Sequence, residues 1–250
     1  MTGQSGQGVH PTNRDMQLTL REAAGYLKVD EDDLRRWIKE RGLPVHRTNE
    51  RLYLNAIELW EWAMAHGIHA SRSLLEAARR SPDEVPSLST LLETGGIHRD
   101  IVGHDKSEVL AEIVTRLPLS PDVDREFLLA VLDAREAMGS TGIGNGIAIP
   151  HVRNPIVLHI DEPFVSLCLL ETPVEFGALD GQPVHALFLV VSPSVPAHLR
   201  ILAQLGFVLR DQELRFLLQR RAPSDEIMER IRMVEHHNTG SFPVFKAERP

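Results

Sequence analysis

Cysteine is nearly absent from this chain: its 250 residues contain one, Cys168. A lone thiol excludes an internal disulfide framework and fits a reducing compartment. No apolar run approaches the length needed to span a bilayer, and the N-terminal residues carry no signal-peptide core. An excess of positive charge is missing too. The formal net charge of −8 gives no global attraction to nucleic acid, so any such binding requires a local patch. Hydrophobic content of 42% and charged content of 25% are those of an ordinary globular protein. The length suits one large domain or two small ones. These absences together point to a cytoplasmic protein without membrane insertion.

What is present is concentrated in one stretch, Gly139-Ser140-Thr141-Gly142-Ile143-Gly144-Asn145-Gly146-Ile147-Ala148-Ile149-Pro150-His151. Glycine permits positive φ and close backbone approach, so such a loop can turn its N–H groups toward an anion. Ile147 to Ile149 read as a short buried strand that Pro150 ends by removing a donor. His151 then stands at the end of a rigid element, a position that suits a phosphoryl-carrying histidine. The stretch is not a Walker loop, because no Lys-Ser or Lys-Thr follows Gly146. Nor does it have the strand-before, helix-after context of a dinucleotide fingerprint. Local pattern alone leaves a second reading open: a glycine-rich connector before a core strand, with His151 merely capping it.

The twelve residues from Ser140 to His151 closely resemble the phosphorylation-site motif of type-2 enzyme IIA of the bacterial phosphotransferase system, the fructose, mannitol and nitrogen-related class. The likeness extends roughly from Ser87 to Ile231. It implies that His151 is the phosphoacceptor through Nε2. It also implies that Arg135, in Ala134-Arg135-Glu136-Ala137-Met138, is the active-site arginine, whose guanidinium would neutralise phosphoryl oxygens. His198, in Ala197-His198-Leu199, corresponds to the second active-site histidine. Ser140, Thr141, Gly142, Gly144, Asn145 and Gly146 form the loop expected beside the phosphoryl group. One departure is visible: the family commonly has Gly after the histidine, whereas here Val152 precedes Arg153. A β-branched residue does not readily take positive φ.

Taken in order, Met1 to Asp15 bury little and read as a disordered tail. Thr19 can cap a helix with Leu20, Ala23, Ala24 and Leu27 on one face. Asp30 starts a second helix with Leu34, Trp37 and Ile38 inward, stopped by Gly42 and Pro44. Val45–Arg47 and Arg51–Leu54 read as a small hairpin, and Asn55 caps a third helix. Residues 16–68 resemble an excisionase-like or MerR-like winged helix-turn-helix module. That resemblance implies a recognition helix carrying Arg35, Arg36 and Lys39, and wing contacts to DNA phosphate from Arg47 and Arg51. Asp30, Glu31, Asp32 and Asp33 crowd the same helix end and would repel a DNA backbone. A small helical domain with a solvated charged face, or one that docks a protein, is therefore the alternative.

Residues 69–86 read as a linker, with a possible helix over 71–80. Residues 87–235 then alternate helices and strands. Helices are expected over 107–117, with Val109, Leu110, Ile113, Val114 and Leu117 inward, and over 122–138, with Phe127, Leu128, Val131, Leu132 and Ala134 buried. Strands fall at 164–170 and 186–191, and helices at 198–209, 212–219 and 224–234. The fold class is α/β, a mixed sheet flanked by helices, which is also the fold the enzyme IIA resemblance implies. Residues 236–250 are a polar tail.

No histidine pairing gives a metal pattern, and His-Glu-x-x-His is absent. Cys168, inside Ser166-Leu167-Cys168-Leu169-Leu170, reads as a small buried hydrophobe rather than a phosphocysteine. The resemblance implies a phosphohistidine carrier, HPr or its nitrogen-related counterpart, as donor. It also implies an enzyme IIB cysteine as a conceivable acceptor, and no cofactor. The alternative is a regulator without transport, whose helix-turn-helix binds DNA or a partner protein under control of the second domain.

Overall fold

The computed structural model describes residues 17–48, 51–68, 85–152 and 162–236. The chain divides into two compact units, residues 1–74 and 75–250. The expected tails, the 71–80 helix and Arg153 lie outside the described residues, apart from His236, which ends the last helix.

The first unit begins with β1 (Gln17–Leu18), α1 (Leu20–Leu27) and α2 (Glu31–Glu40). It continues with β2 (His46–Thr48), β3 (Arg51–Asn55) and α3 (Ala56–Ala65). Thr19 and Glu22 form a reciprocal capping box that satisfies two otherwise orphaned donors of α1. Asp30 caps α2 through the Asp33 N–H, and Asn55 Oδ1 accepts from Glu58 N at 3.3 Å at the start of α3. The strands form one antiparallel sheet in the order β1-β3-β2. Ala23, Ala24, Leu27, Leu34, Leu59 and Trp60 are buried in its core.

The second unit opens with α4 (Leu88–Gly95), β4 (Ile97–Ile101), α5 (Lys106–Arg116) and α6 (Arg125–Ala137). Two short strands follow, β5 (Gly142–Gly144) and β6 (Ile147–Ala148), then two long ones, β7 (Phe164–Val174) and β8 (Val184–Val191). Three helices close it: α7 (Val195–Val208), α8 (Gln212–Gln219) and α9 (Ser224–His236). The sheet order is β4-β7-β8-β6-β5. Pairing is parallel for β4–β7 and β6–β8, and antiparallel for β7–β8 and β5–β6.

Strand alternation sorts the central side chains. Cys168, Leu170, Leu187 and Leu189 join Val109, Leu110, Ile113, Leu128 and Leu132 in one core under α5 and α6. Leu167, Leu169, Phe188 and Val190, on the opposite face, are equally buried. All five residues expected on the inner side of α5 are buried.

α6 departs from its expected orientation. Phe127 is 45% exposed and Ala134 is also exposed, and the buried stripe is Leu128, Leu132, Arg135 and Glu136. The helix is rotated so that its last inward positions carry charge.

Cys168 is fully buried, and desolvation pushes its thiol up to about 12, with Arg116 pulling the other way. We expect the folded protein to resist a thiol-specific reagent and the denatured protein to react fully. Rapid native labelling counted by mass would contradict this.

Candidate functional site

The site is built on the parallel pair β6–β8. Ile147 pairs with Ala186 and Ala148 with Leu187. The register continues past Pro150, whose carbonyl accepts from Val190 N at 3.1 Å, to an isolated parallel bridge between His151 and Val190. Proline gives no donor here, so the ladder is held through its oxygen. His151 thus lies at the carboxyl end of parallel strands, where α/β sheets commonly place their ligands.

His151 is 2% exposed, and its Nδ1 lies 2.7 Å from the Ile149 carbonyl oxygen. A carbonyl only accepts, so Nδ1 must carry the proton. In the neutral ring the lone pair then belongs to Nε2. The backbone two residues upstream therefore fixes the tautomer of this ring.

His198 comes to the same place from the helix that follows β8. Ser194 caps α7, its hydroxyl accepting from Ala197 N at 3.3 Å, and His198 follows in the first turn. Its ring is fully buried and stands 5.0 Å from the His151 ring, tilted by 44°. The positive end of the α7 dipole lies alongside. Nδ1 of His198 is 3.2 Å from Ser192 Oγ.

Arg135 is only 6% exposed, and its Nη1 donates to the Gly139 carbonyl at 2.7 Å. That bond folds the chain back after α6. Glu136, 4% exposed, accepts from Thr141 N at 3.2 Å and from Thr141 Oγ1 at 2.7 Å, with Lys106 Nζ 3.7 Å away. The Thr141 carbonyl in turn accepts from Ile149 N at 3.0 Å. A continuous set of bonds therefore runs from Lys106 and Glu136 through Thr141 and Ile149 to the His151 ring.

The glycine loop is a tight antiparallel hairpin, Gly142 opposite Ala148 and Gly144 opposite Ile147. This splits the residues expected around a phosphoryl group. Ser140 and Thr141 lie toward the His151 end, where Ser140 Oγ accepts from Gly142 N at 2.9 Å. Gly144, Asn145 and Gly146 make the turn at the opposite end, all with positive φ. His151 is five positions on from Gly146, roughly 16 Å of chain at about 3.3 Å per step. Asn145 N already donates to Asp180 Oδ2 at 2.7 Å. A Cβ on Gly146 would stand 2.4 Å from His185 Cδ2. Its glycine serves close packing against that ring, whose burial holds the imidazole below its usual pKa despite a hydrogen bond that the ring donates to the Asn145 backbone. Asp180 and His185 thus clasp the turn.

Val152 is accommodated without strain. It is 3% exposed, joins the core under α5 and α6, and is not among the described residues with positive φ. Among the described residues no three His, Cys, Asp or Glu side chains gather as a metal site would require.

Glu136, Lys106 and Ser192 were not foreseen from the sequence. Glu136 had a legible signal: with Leu128, Leu132 and Arg135 it completes an i, i+4, i+7, i+8 stripe. Ser192 had a fainter one, a small polar residue directly after the apolar run that ends at Val191.

The residues expected on DNA sit elsewhere, in the first unit. Arg35, Arg36 and Lys39 are exposed on α2, Arg47 is exposed on β2, and Arg51 opens β3 opposite Thr48. Arg35 pairs with Glu31 at 3.2 Å and Asp32 at 3.3 Å, and Arg36 pairs with Asp33.

Comparison with known proteins fits the second unit. A nitrogen regulatory protein of Pseudomonas aeruginosa is 36% identical over 147 residues, covering 58% of this chain and 93% of that protein. The nitrogen regulatory protein of Escherichia coli K12 is 41% identical over 128 residues, 50% of this chain and 74% of its own length. The crystal structure of a putative PTS IIA from Streptococcus mutans superposes with a TM-score of 0.51 at 20% identity, covering 61% of this chain and 97% of that one. That likeness shows the fold. Residues 90–233, more than half of the chain, match the family described as phosphoenolpyruvate-dependent sugar phosphotransferase system, EIIA 2, and the chain belongs to it.

Proposed function

We propose that this protein accepts a phosphoryl group on Nε2 of His151 from a phosphohistidine carrier, HPr or its nitrogen-related counterpart, and uses it chiefly as a regulatory signal. The observation that carries this reading is the bond from His151 Nδ1 to the Ile149 carbonyl, which leaves the Nε2 lone pair to attack phosphorus. A P–N bond on the donor breaks as the P–Nε2 bond forms. Such transfers demand positioning and charge stabilisation rather than covalent help from the protein. Arg135 supplies a permanent positive charge, and His198 lies against the accepting ring. The names of the two relatives support a regulatory output over a transport one, with an enzyme IIB cysteine as a second acceptor class. The test is incubation with phosphoenolpyruvate, enzyme I and each carrier in turn, read by intact mass. One added phosphoryl group is expected; no addition with either carrier sinks the proposal.

A second reading concerns residues 16–68. The order helix, turn, helix and antiparallel hairpin supports a winged helix-turn-helix reading, in which Arg35, Arg36, Lys39, Arg47 and Arg51 would meet phosphate. Charge weakens it: three cations against four anions leave α2 at −1, and Arg35 and Arg36 are engaged by acids of their own helix. If the unit binds DNA, the whole chain retards a mixed-sequence duplex at low salt, and added salt abolishes the retardation. No retardation at low salt removes DNA as a partner.

A further inference from the structure

The site proposed to receive an anion already contains one. Glu136 follows Arg135 in the last turn of α6 and is 4% exposed. Its carboxylate accepts from both Thr141 N and Thr141 Oγ1, so it cannot swing aside without releasing that loop. A carboxylate is costly to bury unless hydrogen bonds and a cation offset it.

A cation comes from the neighbouring helix. Asp105 caps α5, its carboxylate accepting from Glu108 N at 2.9 Å, and Lys106 is the first helical residue. Lys106 Nζ stands 3.7 Å from Glu136 Oε1, with the lysine side chain 42% exposed. Ser107 Oγ donates to the Asp133 carboxylate, one turn earlier on α6, at 3.1 Å. Two successive residues of α5 therefore meet two acids one turn apart on α6, and the buried acid meets the cation. Ion pairs between two exposed side chains contribute little, but here one partner is inside the protein, where screening is weaker.

We propose that Lys106 is a positioning residue whose charge offsets that of Glu136. The carboxylate can then hold Thr141 without repelling a phosphoryl group on its way to His151. The hold is passed on through the backbone: Ile149 N donates to the Thr141 carbonyl at 3.0 Å, and the Ile149 carbonyl lies 2.7 Å from His151 Nδ1. Lys106 itself forms no bond to the transferred group. Its role in transfer rests on the function proposed above; its hold on the Thr141 loop does not.

The test compares Lys106→Met, which keeps the stem and removes the charge, with Lys106→Arg, which keeps the charge. In the full, unphosphorylated chain, amide exchange at Thr141 and Ile149 should quicken about tenfold in the methionine variant and stay at the wild-type rate in the arginine variant. In single-turnover phosphorylation the methionine variant should lose about tenfold in rate constant, with half-saturation by the donor carrier unchanged. Arginine should restore the rate. In a Glu136→Gln background Lys106→Met should cost less than about twofold, because no carboxylate charge remains to offset. A mere tie between the two helices would give the same loss in both backgrounds, and that result overturns the proposal. So does unaltered exchange in Lys106→Met, or a raised half-saturation with an unaltered rate constant. The expected exchange rates without any phosphoryl acceptance by the wild type would keep the hold on the loop, discard its role in transfer, and count against the proposed function instead.

Discussion

His151→Ala should take up no phosphoryl group under conditions in which the wild-type chain takes up one. The substitution removes the only ring whose Nδ1 is held by the Ile149 carbonyl, at 2.7 Å. His198 does not replace it, because its Nδ1 lies against the Ser192 hydroxyl rather than a backbone carbonyl. The loss should therefore be complete rather than graded, at least about 10³-fold by analogy with the removal of other activated nucleophiles. Intact mass after incubation with the donor system reads it directly. Appreciable uptake by the variant would place the acceptor elsewhere. The fold should survive, because the ladder at this point is carried by Pro150 O and Val190 N.

The second large effect belongs to Glu136. Its carboxylate accepts from both the N–H and the hydroxyl of Thr141 inside the protein, 5% exposed at Thr141. Glu136→Ala leaves both donors buried without an acceptor, which should cost about 2–6 kcal/mol at about 1–3 kcal/mol for each such group. Thr141 also fixes Ile149, and Ile149 fixes the His151 ring. Stability and phosphorylation rate should therefore fall together, the rate by about 10²-fold, since small misplacement of a reacting group is expensive. Glu136→Gln keeps an acceptor oxygen and should lose clearly less of both. Denaturant titration with single-turnover phosphorylation checks the pair; an alanine variant of wild-type stability would show that the carboxylate does not hold the loop.

Much of this architecture was legible beforehand because its periodicities are strong. Gln212–Gln219 was bounded to the residue, since Asp211 caps it and Leu214, Leu217 and Leu218 recur at helical spacing. The long strands β7 and β8 announced themselves as apolar runs. β4 did not. Ile97-His98-Arg99-Asp100-Ile101 is a polar edge strand, and Asp100 has φ of 55° where the register shifts, so neither composition nor alternation marks it. β5 was hidden for another reason, because Gly-Ile-Gly offers almost no side chains to read. The rotation of α6 is not legible because apolar Phe127 and Ala134 look like core, whereas the buried positions in its last turn are Arg135 and Glu136.

The site divides in the same way. Motif and resemblance pointed to His151, His198 and Arg135, but the sequence assigned one purpose to the whole glycine loop. The hairpin separates that loop into a near part, Ser140 and Thr141, and a far turn, Gly144 to Gly146, clasped by Asp180 and packed on His185. Which residues of a turn face a site depends on strand register, and two-residue strands give too little pattern to set it. The choice of nitrogen on His151 needed the Ile149 carbonyl in three dimensions.

The proton–nitrogen spectrum of the chain after phosphorylation by its donor shows which nitrogen carries the group. The bond from His151 Nδ1 to the Ile149 carbonyl predicts phosphorus-coupled Nε2 on His151, with every other histidine uncoupled. A phosphoryl group on Nδ1 of His151, or on any other side chain, would contradict it.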